Sequence, residues 1–304
     1  MTQAPQTRPR SRRGSAHWAL PAPEVEPWID VLIPTVRGPE LAVTLAGLAA
    51  QDGPPFRLII SDQSDDGVES QPAVQAMLRV LRAQGRPVSL QRHLPRRGLA
   101  EQRQFLLVCS SAPRVLCLDD DVWLEPGALE RLDTALTELG CGFVGYAVQG
   151  LSHLGDPRPE ERAAFEEWGP YGVHPERVRR GEPAFERWTL HNAANMAHEA
   201  AERHLDDEDR LAYRVAWIGG CVLYRRASLL AAGGYEFWRA LPDAYAGEDV
   251  AAQWLVMERE GGAGILPSGA VHLEAPTTVA DRRVNAIDVL FGEPESPRMA
   301  AAQR

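Results

Sequence analysis

Apolar residues in this chain recur in two rhythms. Short β-rich runs stop at a proline or a carboxylate, and between them leucines and valines return at helical spacing. Ile29-Asp30-Val31-Leu32-Ile33-Pro34 predicts a first strand, stopped by its proline. Pro39-Glu40 opens a helix with Leu41, Leu45 and Leu48 on one face. Leu58 to Asp62 predicts a second strand, and Val74, Met77, Leu78 and Leu81 mark the next helix. Val88 to Arg92 is a weaker third strand, Gly98 to about Cys109 a helix, and Val115 to Leu118 a fourth strand. Such alternation implies right-handed crossovers and an α/β fold, a mostly parallel sheet flanked by helices. Ligands of these sheets sit beyond the carboxyl ends of the strands. Asp62 and Asp119-Asp120-Asp121 both fall at such ends.

The triplet is chemically demanding. Adjacent carboxylates repel, and each has its pKa raised unless a cation or donor groups compensate. Mg²⁺ or Mn²⁺ would do so and keep sites open for phosphate. If the strand continues through the triplet, Asp119 and Asp121 share a face and Asp120 points the other way. The alternative is an acidic turn or helix cap, since Pro126 and Gly127 follow closely.

Composition narrows the classes. The 304 residues carry a net charge of −10, which argues against general nucleic-acid binding. Cys109, Cys117, Cys141 and Cys221 have no paired spacing, so buried thiols in a reducing cytoplasm are expected rather than disulfides or zinc. The first strand is followed by Pro34-Thr35-Val36-Arg37-Gly38, not by the glycine pattern of a dinucleotide fold, and no P-loop string occurs. Residues 1–27 read as a disordered basic tail, which leaves peripheral membrane contact open, and residues 293–304 as a flexible end. The arginines near position 10 lack the apolar segment of an export signal, and no run of about 18 apolar residues exists to span a membrane.

Further on, residues 150–215 read as a long loop-rich insertion. His191, His198 and His204 lack ligand spacing, and Asp206 to Asp209 read as a solvated acidic face without the pattern of a calcium loop. Val215 to Tyr224 reads as a β-rich run containing Gly219 and Gly220, which permit close backbone approach. Glu248-Asp249 opens a helix with Val250, Trp254 and Met257 on one stripe, where the acids could simply favour the helix dipole. Val271-His272-Leu273 ends a short apolar segment.

Asp30 to Thr35, Ile59 to Ser64, Gly98 to Arg103, Leu118 to Asp121, Gly219 to Arg226, Gly233 to Tyr235 and Gly247 to Asp249 stand in an order that resembles a family 2 glycosyltransferase of GT-A fold. The likeness covers roughly residues 28–275. Asp62-Gln63-Ser64 and Arg103-Gln104 depart from the usual motifs of that family. The resemblance implies one domain over 28–292, with a nucleotide-sugar half at 28–125 and an acceptor half at 126–292. It implies that Pro34, Thr35, Asp62, Arg103, Asp119 and Asp120 contact a nucleotide-diphosphate sugar. Asp121, with Asp119 and His272, would hold Mn²⁺ or Mg²⁺, and Gly219 and Gly220 would lie on the acceptor side. Asp249, or less favourably Glu248, would be the base toward a glycan, lipid or small-molecule acceptor. An inverting transfer in glycan or polysaccharide biosynthesis is expected; a retaining transferase or a catalytically silent sugar-nucleotide binder are the rivals.

Overall fold

A computed structural model describes residues 12–22, 24–279 and 281–292. The first half alternates as expected: β1 (Ile29–Thr35), α1 (Pro39–Ala49), β2 (Phe56–Asp62), α2 (Pro72–Ala83), β3 (Val88–Arg92), α3 (Leu99–Cys109) and β4 (Arg114–Leu118). Then follow β5 (Val122–Leu124), α4 (Ala128–Leu139), β6 (Phe143–Gly145), β7 (Gln149–Gly150), α5 (Asn195–Glu202) and β8 (Leu211–Tyr213). The chain closes with β9 (Cys221–Arg225), α6 (Arg226–Ala231), α7 (Glu248–Glu260), β10 (Gly262–Leu266), β11 (Ala270–His272) and α8 (Ala286–Phe291).

One eight-stranded sheet runs β3-β2-β1-β4-β9-β6-β10-β8. The strands from β3 to β4 are parallel, β9 runs antiparallel to both β4 and β6, and β10 pairs parallel with β6. Both faces are covered, which is why the strands are apolar nearly throughout. Ile29, Val31 and Ile33 pack with α1, α2 and α4 on one side. Leu32, Ile59 and Val115 pack with α3, α7 and α8 on the other. A small second sheet, β5-β11-β7, sits beyond the end of β4.

Two expectations change. The strand before the triplet stops at Leu118, as expected, but the alternating faces do not extend through the triplet: Asp120 and Asp121 occupy the turn into β5, the acidic-turn alternative. Asp120 therefore does not point to the opposite face of a strand: the chain is leaving one sheet for another. The β-rich run shortens to Cys221–Arg225, because Gly220 has φ +75° and the preceding residues bond elsewhere. The Gln253 side chain receives the Ile218 N–H and donates to the Ile218 carbonyl, while Trp254 Nε1 donates to Ala216.

Within residues 12–22 of the basic segment, Arg12 pairs with Asp52 at 2.8 Å and the Arg13 amide donates to Gln84; residues 1–11 and 293–304 lie outside the described residues. The insertion is tied down by ion pairs, with Arg187 and Arg214 each bridging Glu166 and Glu176. His191 donates to or accepts from Tyr213 at 2.9 Å, and burial pushes it down to about 4. Asp206, Asp207, Glu208 and Asp209 are exposed, as expected of a solvated face. All four cysteines are free thiols, and three are buried.

Candidate active site

Parallel pairing brings Thr35, Asp62 and the residues after Leu118 to one sheet edge. A cavity of about 370 Å³ opens there. Pro34, Thr35, Asp119, Asp120, Asp121 and His272 line it, as do Arg37 and a strap made of Ala275, Thr277, Thr278, Val279 and Arg282.

The acids differ sharply in their surroundings. Asp120 is buried; it accepts from Thr35 Oγ1 at 2.7 Å and from Arg37 Nε at 3.0 Å. Burial raises its pKa to about 6 against those two partners. Asp121 Oδ2 accepts from Arg37 Nη2 at 2.7 Å and lies 3.4 Å from His272 Nε2. Its pKa is raised by burial first and then by the charge of Asp119. Asp119 is the most open of the three, with a side chain 38% exposed. Its amide donates to the Gly220 carbonyl at 2.9 Å, and a Cβ on Gly220 would meet Asp119 Oδ2 at 3.5 Å as well as Val122 and Val148. With φ +75° added, that position favours glycine for two reasons.

Arg103 does not reach the cavity. It is buried between Asp119 Oδ1 at 2.7 Å and Glu248 Oε1 at 3.2 Å, pinning α3 to the β4–β5 turn and to the start of α7. Glu248 is thereby committed to an ion pair. Asp249 is different: among the described residues its Oδ1 accepts only the Val250 amide, at 2.8 Å. Burial chiefly, and the charge of Glu248 next, push Asp249 up to about 7. A Cβ on Gly219 would come within 4.0 Å of Asp249 Oδ2, so the glycine leaves that oxygen approachable.

Asp62 is also turned inward. Its oxygens accept from the Ser64 and Val68 amides at 2.8 and 3.0 Å and from Arg92 at 3.0 Å, holding the loop after β2. These donors hold its pKa below the ordinary carboxylate range although burial opposes them.

Among the described residues, no three His, Cys, Asp or Glu side chains already converge as a metal cage. Asp121 with Asp119 and His272 beside it could still hold Mn²⁺ or Mg²⁺, because these hard cations use one or two carboxylates and take the rest from substrate phosphates and water.

Sequence reasoning missed Arg37, the strap and Gln102, which also lines the cavity. Arg37 stands two positions after the motif residue Thr35, the one local signal that could have found it.

Residues 30–186 match the profile of glycosyl transferase family 2. No curated protein matches the chain. S. aureus TarS 1-349, solved in complex with UDP-GlcNAc, is similar with a TM-score of 0.55 and 15% identity, covering 83% of this chain and 60% of that one. The mannosyltransferase PcManGT from Pyrobaculum calidifontis, in complex with GDP-Man and Mn²⁺, is similar with a TM-score of 0.50 and 19% identity, covering 87% and 64%. At these identities the likeness establishes a shared GT-A fold, and the chain spans less than two thirds of either neighbour's length.

Proposed function

Since the chain belongs to glycosyl transferase family 2, we propose that it transfers a sugar from a nucleoside-diphosphate donor to an acceptor hydroxyl with inversion, in glycan or polysaccharide assembly. The observation that carries this reading is a division of labour between the two acids that open α7. Glu248 is neutralised by Arg103, whereas Asp249 stands beside Gly219 with one backbone donor and a proton affinity near neutrality.

Asp249 takes the proton of the acceptor hydroxyl as its oxygen attacks the anomeric carbon. The bond from that carbon to the diphosphate breaks, and its electron pair leaves with the phosphate oxygen. Arg282, which lines the cavity and among the described residues donates to the Val279 carbonyl and Thr277 Oγ1 and pairs with no carboxylate, offers the leaving diphosphate a cation. A divalent ion on Asp121, with Asp119 and His272 beside it, would supply further charge neutralisation. Thr35 holds Asp120, and Arg103 holds Asp119, so the acids keep their places while charge moves.

The neighbours bound to UDP-GlcNAc and to GDP-Man with Mn²⁺ support this donor class and this cofactor. No described helix is long and apolar enough to cross a membrane; free, buried thiols favour a cytoplasmic setting. The test is a panel of nucleotide sugars with Mn²⁺, following nucleotide release with and without candidate acceptors. Release that rises with one acceptor and yields a glycosylated product supports a transferase. Binding without release across the panel means a silent binder.

A further inference from the structure

Asp121 Oδ2 is already occupied. Arg37 Nη2 donates to it at 2.7 Å, and the same guanidinium reaches Asp120 Oδ1 through Nε at 3.0 Å. His272 crowds the same oxygen from the other side. Its Nδ1 accepts the Glu274 amide at 2.9 Å, so the neutral ring carries its proton on Nε2, which lies 3.4 Å from Asp121 Oδ2. Two N–H groups thus face Asp121 Oδ2, the oxygen that a cation would share. The third arm of Arg37, Nη1, donates to the Pro276 carbonyl at 2.9 Å and ties the strap across the cavity mouth.

We propose that Arg37 is an internal counter-cation that competes with the divalent metal for Asp121, and that metal binding frees the strap at Pro276. This rests on the reading of Asp121 as the metal carboxylate. A planar guanidinium suits the place because it can address two neighbouring carboxylates and a carbonyl at once, which a lysine ammonium on its flexible stem does less well. Arg37 is a positioning residue here: it sets when Asp121 is available and where the strap lies. The diphosphate of the donor would meet an open site only after this latch lets go.

The probe is Mn²⁺ alone, titrated calorimetrically and by electron paramagnetic resonance into wild type, Arg37→Gln, Arg37→Lys and Asp121→Asn, with no donor present. Arg37→Gln should bind Mn²⁺ about tenfold tighter than wild type, the gain expected when the competent form rises from about one part in ten to nearly all. Arg37→Lys should fall between them, and Asp121→Asn should lose binding. Amide exchange of Thr277, Thr278 and Val279 should rise in Arg37→Gln, and in wild type on adding Mn²⁺. Equal Mn²⁺ affinity in wild type and Arg37→Gln overturns the competition while leaving the metal site standing. Absence of binding in Arg37→Gln overturns the metal reading and this inference with it. Strap exchange unchanged by either treatment overturns the tether.

Discussion

Arg103 and Glu248 meet at 3.2 Å with both side chains only 6% exposed, joining the third helix to the first turn of α7. Buried pairs of this kind contribute little net stability while intact, but losing one partner is expensive. Arg103→Met would leave Asp119 and Glu248 without their shared cation, and we expect a loss of about 3 kcal/mol in denaturant melts. A variant as stable as wild type would mean that water or another cation reaches these acids.

Asp249 and Glu248 separate under substitution. Asp249→Asn should lower turnover about 10²–10⁴-fold, the usual contribution of a general base, while donor affinity measured by calorimetry barely moves. Glu248→Gln should keep most turnover, because the amide can still accept from Arg103. A loss confined to Glu248→Gln would move the base one residue upstream.

Acidity offers an independent check. Asp249 binds its proton more tightly in the fold than at its ordinary value of 3.8, being pushed up to about 7 by burial and by Glu248. Over that window the folded state carries more protons than the unfolded chain, so this group makes stability fall as pH rises from about 4 to about 7. Asp120, raised to about 6 by burial, acts in the same direction over the lower part. In melts with chelator, Asp249→Asn should gain on wild type as pH rises through this window. Turnover of wild type should show the opposite slope, declining below about pH 7 as the base becomes protonated.

Asp120 and Asp121 are expected to fail differently. Asp121→Asn should abolish the Mn²⁺ or Mg²⁺ dependence of nucleotide-sugar binding. Asp120→Asn should preserve that dependence and instead lower the melting temperature, since it weakens the buried contact to Arg37 and Thr35. Loss of metal dependence in both variants would make the triplet a shared cation site.

Local pattern made the sheet edge legible. Two of the parallel strands, β2 and β4, were marked by apolar runs that lead into carboxylates, and α7 by its acids followed by Val250, Trp254 and Met257. Facing was not legible. Arg103 and Asp62 sit on correctly read elements, yet one turns into an ion pair and the other caps its own loop. Arg37 finds its partners 83 and 84 positions away, and no periodicity announces a contact at that separation. The strap has no repeating pattern at all; only its tether to Arg37 and its place over the cavity give it a part.

The small sheet fixes the spacing of Asp121 and His272. His272 stands opposite Val122, and the Leu273 amide donates to the Asp121 carbonyl at 2.9 Å. Slipping β11 by one residue along β5 would bring Val271 or Leu273 to this place and turn the imidazole to the other face. The connection through Pro267, Ser268 and Gly269 therefore tolerates no change of length that shifts the ladder. A chimera made with a related chain would need β5 and β11 from the same parent to keep carboxylate and imidazole within reach of one ion.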